Sequence, residues 1–252
     1  MEREFDGRTV LVTGASSGIG FAVARMFAAR GACVVGVARD AGRLQAAIDA
    51  LAAGPGQAHL GIAGDADSAE IAARAVAAAE GLAGGLDVVA NIAGWYPTAL
   101  VADTGDADFD QTLSANIGTT FRMCRAAIPA LTRRSGAIVN MSSTAARFPT
   151  PGLAAYSASK AAVEALTRSL AAELAPAVRV NAVAAGPTMT ETVRALMESD
   201  QTGAVRAVTE ALPLRRLAQV DEIAEAVLFL ASARASVITG QVLHANCGGH
   251  MA

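Results

Sequence analysis

The chain has 252 residues and a net charge of −3, with acidic and basic residues interspersed, so it lacks the basic stripe that nucleic-acid binding needs. Over half of its residues are apolar but only 4% are aromatic, which leaves alanine, valine and leucine to build the core. Residues 1–8 are charged without an apolar signal core and no apolar stretch reaches ~18 residues, so no leader or membrane span is expected and the protein reads as cytoplasmic.

In chain order, TVLVT at Thr9–Thr13 is a β-branched run that stops at glycine and reads as a buried strand. A helix follows over residues 18–30, with Ile19, Val23, Met26 and Phe27 at helical spacing. ACVVGVA and DAGRLQAAIDALAA give the second strand and helix, HLGIA and SAEIAARAVAAAE the third pair, and LDVVANIAG contains strand four. One long helix is expected over residues 106–131, followed by strand five in GAIVNMSS and another long helix over residues 154–174. VRVNAVAAG is strand six, DEIAEAVLFLAS a late helix and QVLHA a last strand. The arginine pairs in LTRRSG and LRRL read as solvated helix ends.

Strand and helix alternate almost throughout, which implies right-handed crossovers and an α/β, Rossmann-like, doubly wound fold. About seven largely parallel strands would carry helices on both faces. Glycine is spread along the chain rather than gathered in a linker, so residues 1–252 read as a single domain. Residues 187–217 break the rhythm with a long strand-free segment, expected to be a substrate lid. Cys33, Cys124 and Cys247 are odd in number, widely spaced and free of any CxxC, so they read as free thiols, and no metal site is expected.

VTGASSGIG joins the first strand to the first helix. Gly14, Gly18 and Gly20 allow a tight turn, a close backbone approach to a ligand and close helix–strand packing, and the helix N-terminus offers free N–H groups to a pyrophosphate. The same letters spell a rival, because Gly14-Ala15-Ser16-Ser17-Gly18 matches the G-x-S-x-G elbow of serine hydrolases. That reading makes Ser16 a nucleophile and calls on His244 or His250, but it leaves no oxyanion loop and no task for Tyr156 and Lys160.

Lys160 is the only lysine of the chain, and it stands four residues after Tyr156, one of two tyrosines. Residues i and i+4 share a helix face, so both can address one bound group. A phenol titrates near ~10 and needs ~2–3 units, roughly 3–4 kcal/mol, to act as a base at neutral pH. One cation at ~4 Å in an effective dielectric of ~20 supplies about 4 kcal/mol, so Lys160 is expected to lower the Tyr156 pKa. An ammonium, compact and with three rotatable donors, suits this task better than a planar guanidinium. Ser143, at the end of strand five, would bond a substrate carbonyl while the phenol moves the proton.

Taken with NIAG (residues 91–94), Asn116 and AAGPTMT (residues 184–190), these motifs occur in the order and spacing of one family. Over its full length the chain resembles a short-chain dehydrogenase/reductase. The resemblance implies a catalytic tetrad: Tyr156 as general acid/base, Lys160 tuning it and bonding the nicotinamide ribose, Ser143 orienting the carbonyl, and Asn116 holding a water. It implies a cofactor site of Gly14, Ser16, Ser17, Gly18, Ile19 and Gly20, with Tyr156 and Lys160 at its far end. Asp65 and Ala66 would meet the adenine, Asn91, Ala93 and Gly94 the adenine ribose, and Gly186, Pro187, Thr188 and Thr190 the nicotinamide side. Ile92, Ala185, Asn246 and Cys247 depart from the family pattern without removing a catalytic group.

Strand two ends in GVARD, with Ala38 where NAD enzymes of this family place an Asp and Arg39 next to it. A guanidinium suits a 2′-phosphate, so NADP(H) is expected, with NAD(H) the alternative and Asp40 read as a helix cap. Trp95, Tyr96, Ser143, Ala145, Phe148, Met189 and Val193 are expected to line an apolar pocket for a ketone or alcohol, or else to pack beneath the lid. The two long helices, which pair between subunits in the resembled family, imply a homotetramer. The expected activity is hydride transfer between a nicotinamide and a carbonyl or secondary alcohol. A non-catalytic dinucleotide sensor on the same scaffold is the alternative.

Overall fold

The computed structural model describes residues 3–200 and 202–251. The β-branched runs form β1 (Thr9–Thr13), β2 (Cys33–Ala38), β3 (His59–Ala63), β4 (Val88–Asn91), β5 (Ala137–Ser143), β6 (Arg179–Ala185), β7 (Thr188–Met189), β8 (Ala218–Gln219) and β9 (Val242–Ala245). The helices are α1 (Gly18–Ala29), α2 (Ala41–Asp49), α3 (Ala69–Glu80), α4 (Asp106–Leu113), α5 (Thr119–Arg134), α6 (Ala154–Leu174), α7 (Glu191–Ser199), α8 (Ala204–Ala211) and α9 (Val220–Ala231). Seven strands form one parallel sheet in the order β3-β2-β1-β4-β5-β6-β9. The central strands are buried on both sides, whereas the edge strands β3 and β9 are partly exposed.

Alternation along each strand sorts side chains into two cores. Val10, Val12 and Val34 meet Val23 and Phe27 of α1 and Val227 and Leu228 of α9 on one face. Leu11, Val35 and Ile138 meet α3, α5 and α6 on the other. Small side chains replace aromatic bulk here, with Ala72, Ala75 and Ala79 of α3 buried in one cluster with Ala127 and Ala130 of α5.

Strand order reverses between β1 and β4, because β2 and β3 lie to one side of β1 while β4 opens the other. A ligand crevice forms at such a switch point, beyond the carboxyl ends of the strands. Thr13, the last residue of β1, ties the two ends together, its hydroxyl accepting from the backbone N–H groups of Ile92 and Ala93 at 3.0 Å each.

Three features differ from the sequence reading. The helix expected over residues 106–131 is two helices, α4 and α5, joined by a π-helical turn at Ser114–Gly118, and α5 runs on to Arg134. Side chains hold that turn from outside: Asp67 accepts from Ser114 and Arg122 on its flanks, and Asn116 donates to the carbonyls of Trp95 and Thr112 at 2.7 and 2.8 Å. Residues 187–217 are not free of strand, since β7 pairs with β8 in a small second sheet. LRRL is a turn rather than a helix end. Arg215 has φ 51°, and Arg216 grips Glu222 at 2.6 and 2.7 Å within the capping box of α9.

An arginine at the start of β6 closes the other end of α9. The Arg179 guanidinium donates to the carbonyls of Leu230, Ala231, Ser232 and Ala235 at 2.8 to 3.2 Å, satisfying the groups that a helix C-terminus leaves unpaired. Lysine keeps the charge but not the fork. Arg179→Lys is therefore expected to cost about 2 kcal/mol, the loss of roughly two such bonds, read as a lower urea midpoint at unchanged m-value.

Candidate active site

The glycine loop leaves β1 and enters α1 beneath a cleft of about 740 Å³ that runs from Arg39 and Asp65 past the loop to Trp95 and Thr190. The turn needs glycine. Gly14 and Gly18 have φ of 72° and 53°, and a Cβ on Gly20 would stand 2.1 Å from the Gly14 carbonyl oxygen. Ser17 is the N-cap of α1 but makes no side-chain capping bond, and the first turn carries no acidic residue. The N–H groups and positive end of α1 thus face the cleft, and the arrangement fits a dinucleotide pyrophosphate.

Eleven of the eighteen expected cofactor residues line this cleft, while Gly18, Asn91, Tyr156, Lys160, Gly186, Pro187 and Thr188 do not. Gly14, Ser16, Ser17, Ile19, Gly20, Arg39, Asp65, Ala66, Ala93, Gly94 and Thr190 line it. Gly18 touches it from below, the methyl of Thr190 lying 3.6 Å from where its Cβ would stand. Gly186 packs against Asn246, and Thr188 is buried with its hydroxyl on the Gly186 carbonyl at 2.8 Å. Asn91 is the clear departure. Its side chain is buried in the sheet, donating to Asn140 at 2.9 Å and to the Cys124 sulfur at 3.3 Å, and does not line the cleft. Arg43, which the sequence reading passed over, lines the cleft beside Arg39, and its N–H donates to the Asp40 carboxylate that caps α2. Its place one turn into a helix after Arg39 was the available signal.

No histidine lines this cleft among the described residues. His244 lies on β9 with its ring 5.1 Å from that of His250 and within the field of Glu164. Ser16 therefore lacks the base that the hydrolase reading requires.

Behind Gly94 and Trp95, which line the cleft, β5, α6 and the π-helical turn bring the four catalytic candidates together, none of them in the cleft wall itself. Lys160 is buried, and its ammonium donates to the Met141 carbonyl at 2.9 Å. A Cβ on Gly94 would lie 2.7 Å from Asn116 Oδ1 and 3.3 Å from Lys160 Nζ, so glycine keeps that space open. Asn116 Oδ1 also accepts from the Trp95 N–H at 3.4 Å, so its amide anchors the chain after β4 rather than facing solvent. Ser143 hydrogen-bonds Tyr156, whose ring lies 5.5 Å from that of Tyr96 and 5.6 Å from the Lys160 ammonium.

Electrostatics here run against the simplest expectation. Burial pushes Tyr156 up to about 12; the bond from Ser143 lowers it and the neighbouring Tyr96 raises it further. Burial pulls Lys160 down to about 8. The lysine donates to Met141 and stands over the Tyr156 ring, and burial is the largest influence on both groups.

Of the expected substrate residues, Tyr96 and Phe148 are half exposed and Ala145 stands two residues after Ser143, its N–H on the Ser143 hydroxyl at 3.2 Å. Met189 lies in β7 and Val193 donates its N–H to the Thr190 hydroxyl that caps α7. Trp95 lines the dinucleotide-sized cleft itself.

Comparison with known proteins gives this geometry a family. Residues 14–250 match the profile of a family described as enoyl-(acyl carrier protein) reductase. The 3-oxoacyl-(acyl-carrier-protein) reductase FabG of Escherichia coli is 35% identical over 249 residues, covering 98% of this chain and 99% of that one. The chain belongs to the short-chain dehydrogenase/reductase family. A solved short-chain dehydrogenase/reductase from Brucella melitensis superposes with a TM-score of 0.92 at 37% identity over the whole of both chains. One from Mycobacterium ulcerans gives 0.90 at 33% identity, covering 97% of this chain and 90% of that one. The protein is thus an oxidoreductase acting on carbonyl or alcohol groups.

A buried ammonium is a stability liability. Because the folded pKa of Lys160 is about 8 against an ordinary 10.5, the unfolded chain binds more protons between those values. The group's contribution therefore improves as pH rises from 8 to 10.5 and is fully unfavourable below 8, by about 3 kcal/mol. Lys160→Met, which removes the charge and fills the space, is expected to abolish turnover yet raise Tm by several degrees at pH 7, a gain that shrinks above pH 8. Scanning calorimetry at pH 7 and pH 10 checks it.

Proposed function

We propose that the protein is an NADP(H)-dependent ketoreductase in which Tyr156 gives its proton to a ketone oxygen held by Ser143. The observation that carries this reading is the meeting of two hydroxyls, Ser143 and Tyr156, beside a buried ammonium that stands next to Gly94 in the wall of the dinucleotide-sized cleft. A bound reduced nicotinamide would supply the hydride. The phenol, held near 12, is protonated at neutral pH and so is ready as an acid for reduction, while Ser143 donates to the same carbonyl oxygen. Lys160, held near 8, is mostly cationic at pH 7 and stabilises the phenolate left after proton transfer.

The choice of NADP(H) rests on Arg39 and Arg43, two guanidinium groups at the adenosine end of the cleft, with Ala38 where a carboxylate would oppose a 2′-phosphate. Asp40 is engaged as the cap of α2. The substrate class follows the names of the relatives and the apolar side chains near Tyr156: a 3-oxoacyl thioester or another apolar ketone meets Tyr96 and Phe148. Residues 187–217 serve as the lid of one domain, with Thr190 over the glycine loop and α7 and α8 carrying exposed Leu196 and Val208. Exposed Phe121 with Ile117 and Leu166, beside a groove between α5 and α6, supports contact between copies of the chain and a homotetramer.

Two measurements test the reading. Turnover of a 3-oxoacyl thioester with NADPH should exceed that with NADH by at least about tenfold in kcat/KM, and Arg39→Asp should reverse the order; an NADH preference in the wild type refutes the cofactor assignment. The reduction rate should fall as pH rises through about 8, where Lys160 loses its charge, and not near 10 as an ordinary phenol would dictate. A profile flat to pH 10 removes Lys160 from the step.

A further inference from the structure

The seam between α6 and β5 extends past the four catalytic candidates. Tyr156, Lys160 and Glu164 stand at successive i+4 positions on one face of α6, and Glu164 is only 2% exposed. A buried carboxylate must be paired, and each of its oxygens is. Oε1 accepts from the hydroxyl of Ser142, the residue before Ser143, at 3.0 Å. Oε2 accepts from the Arg147 guanidinium at 2.8 Å. Two other basic groups face it, Arg168 from α6 at 4.0 Å and His244 from β9, which burial and the neighbouring His250 hold below the ordinary histidine range. Of the three, only Arg147 makes a hydrogen bond.

Arg147 belongs to the segment that follows Ser143 and carries Ala145 and Phe148. That segment has few other anchors. Arg147 and Phe148 donate their N–H groups to the Thr144 carbonyl, the Thr144 hydroxyl donates to the Ala185 carbonyl of β6 at 3.3 Å, and Gly152 accepts from the Ala99 N–H. We propose that Glu164 and Arg147 are positioning residues for the reaction, a clamp that fixes the loop of residues 144–153, and with it the substrate carbonyl, against the helix bearing Tyr156 and Lys160. One carboxylate thereby joins three pieces: the strand end with Ser142 and Ser143, the substrate-side loop, and α6. Neither Glu164 nor Arg147 lines the dinucleotide-sized cleft, and the loop they hold carries the expected substrate residues Ala145 and Phe148, so the clamp acts on the ketone side of the site. Small misplacements at a reacting centre are costly to rate, so a loosened loop shows in turnover before it shows in folding.

The kinetic part of this inference rests on the ketoreductase reading, so the test pairs turnover with a measurement that needs none. Arg147→Met, Glu164→Gln and Arg147→Lys are compared with the wild type by hydrogen exchange at the amides of residues 145–153. Their kcat and KM for a short 3-oxoacyl thioester at saturating NADPH, and their NADPH dissociation constants by fluorescence titration, are measured alongside. Arg147→Met and Glu164→Gln are expected to speed loop exchange about tenfold or more and to lower kcat/KM for the thioester about tenfold, with the NADPH constant within about twofold of wild type. Arg147→Lys recovers most of both losses. Unchanged exchange and kinetics in Arg147→Met overturn the clamp, as does a parallel weakening of NADPH binding, which would make Glu164 a general support of α6. Should Arg147→Met fail to fold, Arg147→Met/Glu164→Met, which strands no buried carboxylate, takes its place with the same two outcomes. A wild type inactive on every ketone defeats the ketoreductase reading, while the exchange result still decides whether the clamp exists.

Discussion

The polar seam between α6 and β5 is the constraint on which the rest of the site depends. Thr167 accepts from Asn140 at 2.9 Å, Glu164 from Ser142 at 3.0 Å, and Lys160 donates to the Met141 carbonyl at 2.9 Å. The seam continues across the sheet, where Asn140 accepts from Asn91 of β4. Polar groups buried this deeply are costly unless every partner is in register, so the network admits one sliding position of helix on strand. That position sets Tyr156 against Ser143. A fully apolar contact of the same area would tolerate a shift between the two hydroxyls that this network does not.

The cofactor half of the site is built on the opposite economy, with backbone instead of side chains. At the reversal of strand order, Thr13 locks the ends of β1 and β4, and the glycine loop clears room for a ligand by withholding side chains. The two halves meet at Gly94, beside both Asn116 and Lys160. The π-helical turn completes the join, because it directs the Asn116 amide onto the chain leaving β4. Asp67 holds both flanks of that turn from the adenosine side, which links the far end of the cleft to the catalytic end.

Sequence alone was most informative where a residue type has one physical use. Glycines at 14, 18 and 20, the Tyr156–Lys160 spacing and the strand–helix alternation are of this kind; the sheet they imply is present, and Tyr156 and Lys160 stand side by side. It was least informative where a side chain has two. Asn91 reads as a ribose neighbour from its motif, but its period-2 position turns it into the core, where an amide can join two strands. The break between α4 and α5 is marked in the sequence only by Gly118, a weak signal inside a helical pattern, because distant partners such as Asp67 and Trp95 stabilise the π-helical turn. Glu164 and Arg147 lie seventeen residues apart on different elements, and a charge on a helix face most often means solvent. Only the fold shows that this face is closed.

The single lysine illustrates why electrostatics were the hardest part to foresee. The expectation treated Lys160 as a fixed charge acting on Tyr156 and left out the burial of both. In the fold, desolvation moves the two groups in opposite directions, the phenol up and the ammonium down. The chain's near-exclusive use of arginine elsewhere then acquires a reason at this position. A guanidinium retains its proton at any accessible pH and would carry its full charge into the core, whereas an ammonium can settle near 8 and exchange its proton in the range where enzymes work. The space bounded by Gly94, Asn116 and Met141 is also shaped for a point charge and not for a planar fork. Lysine is retained where a charge must be both buried and able to leave.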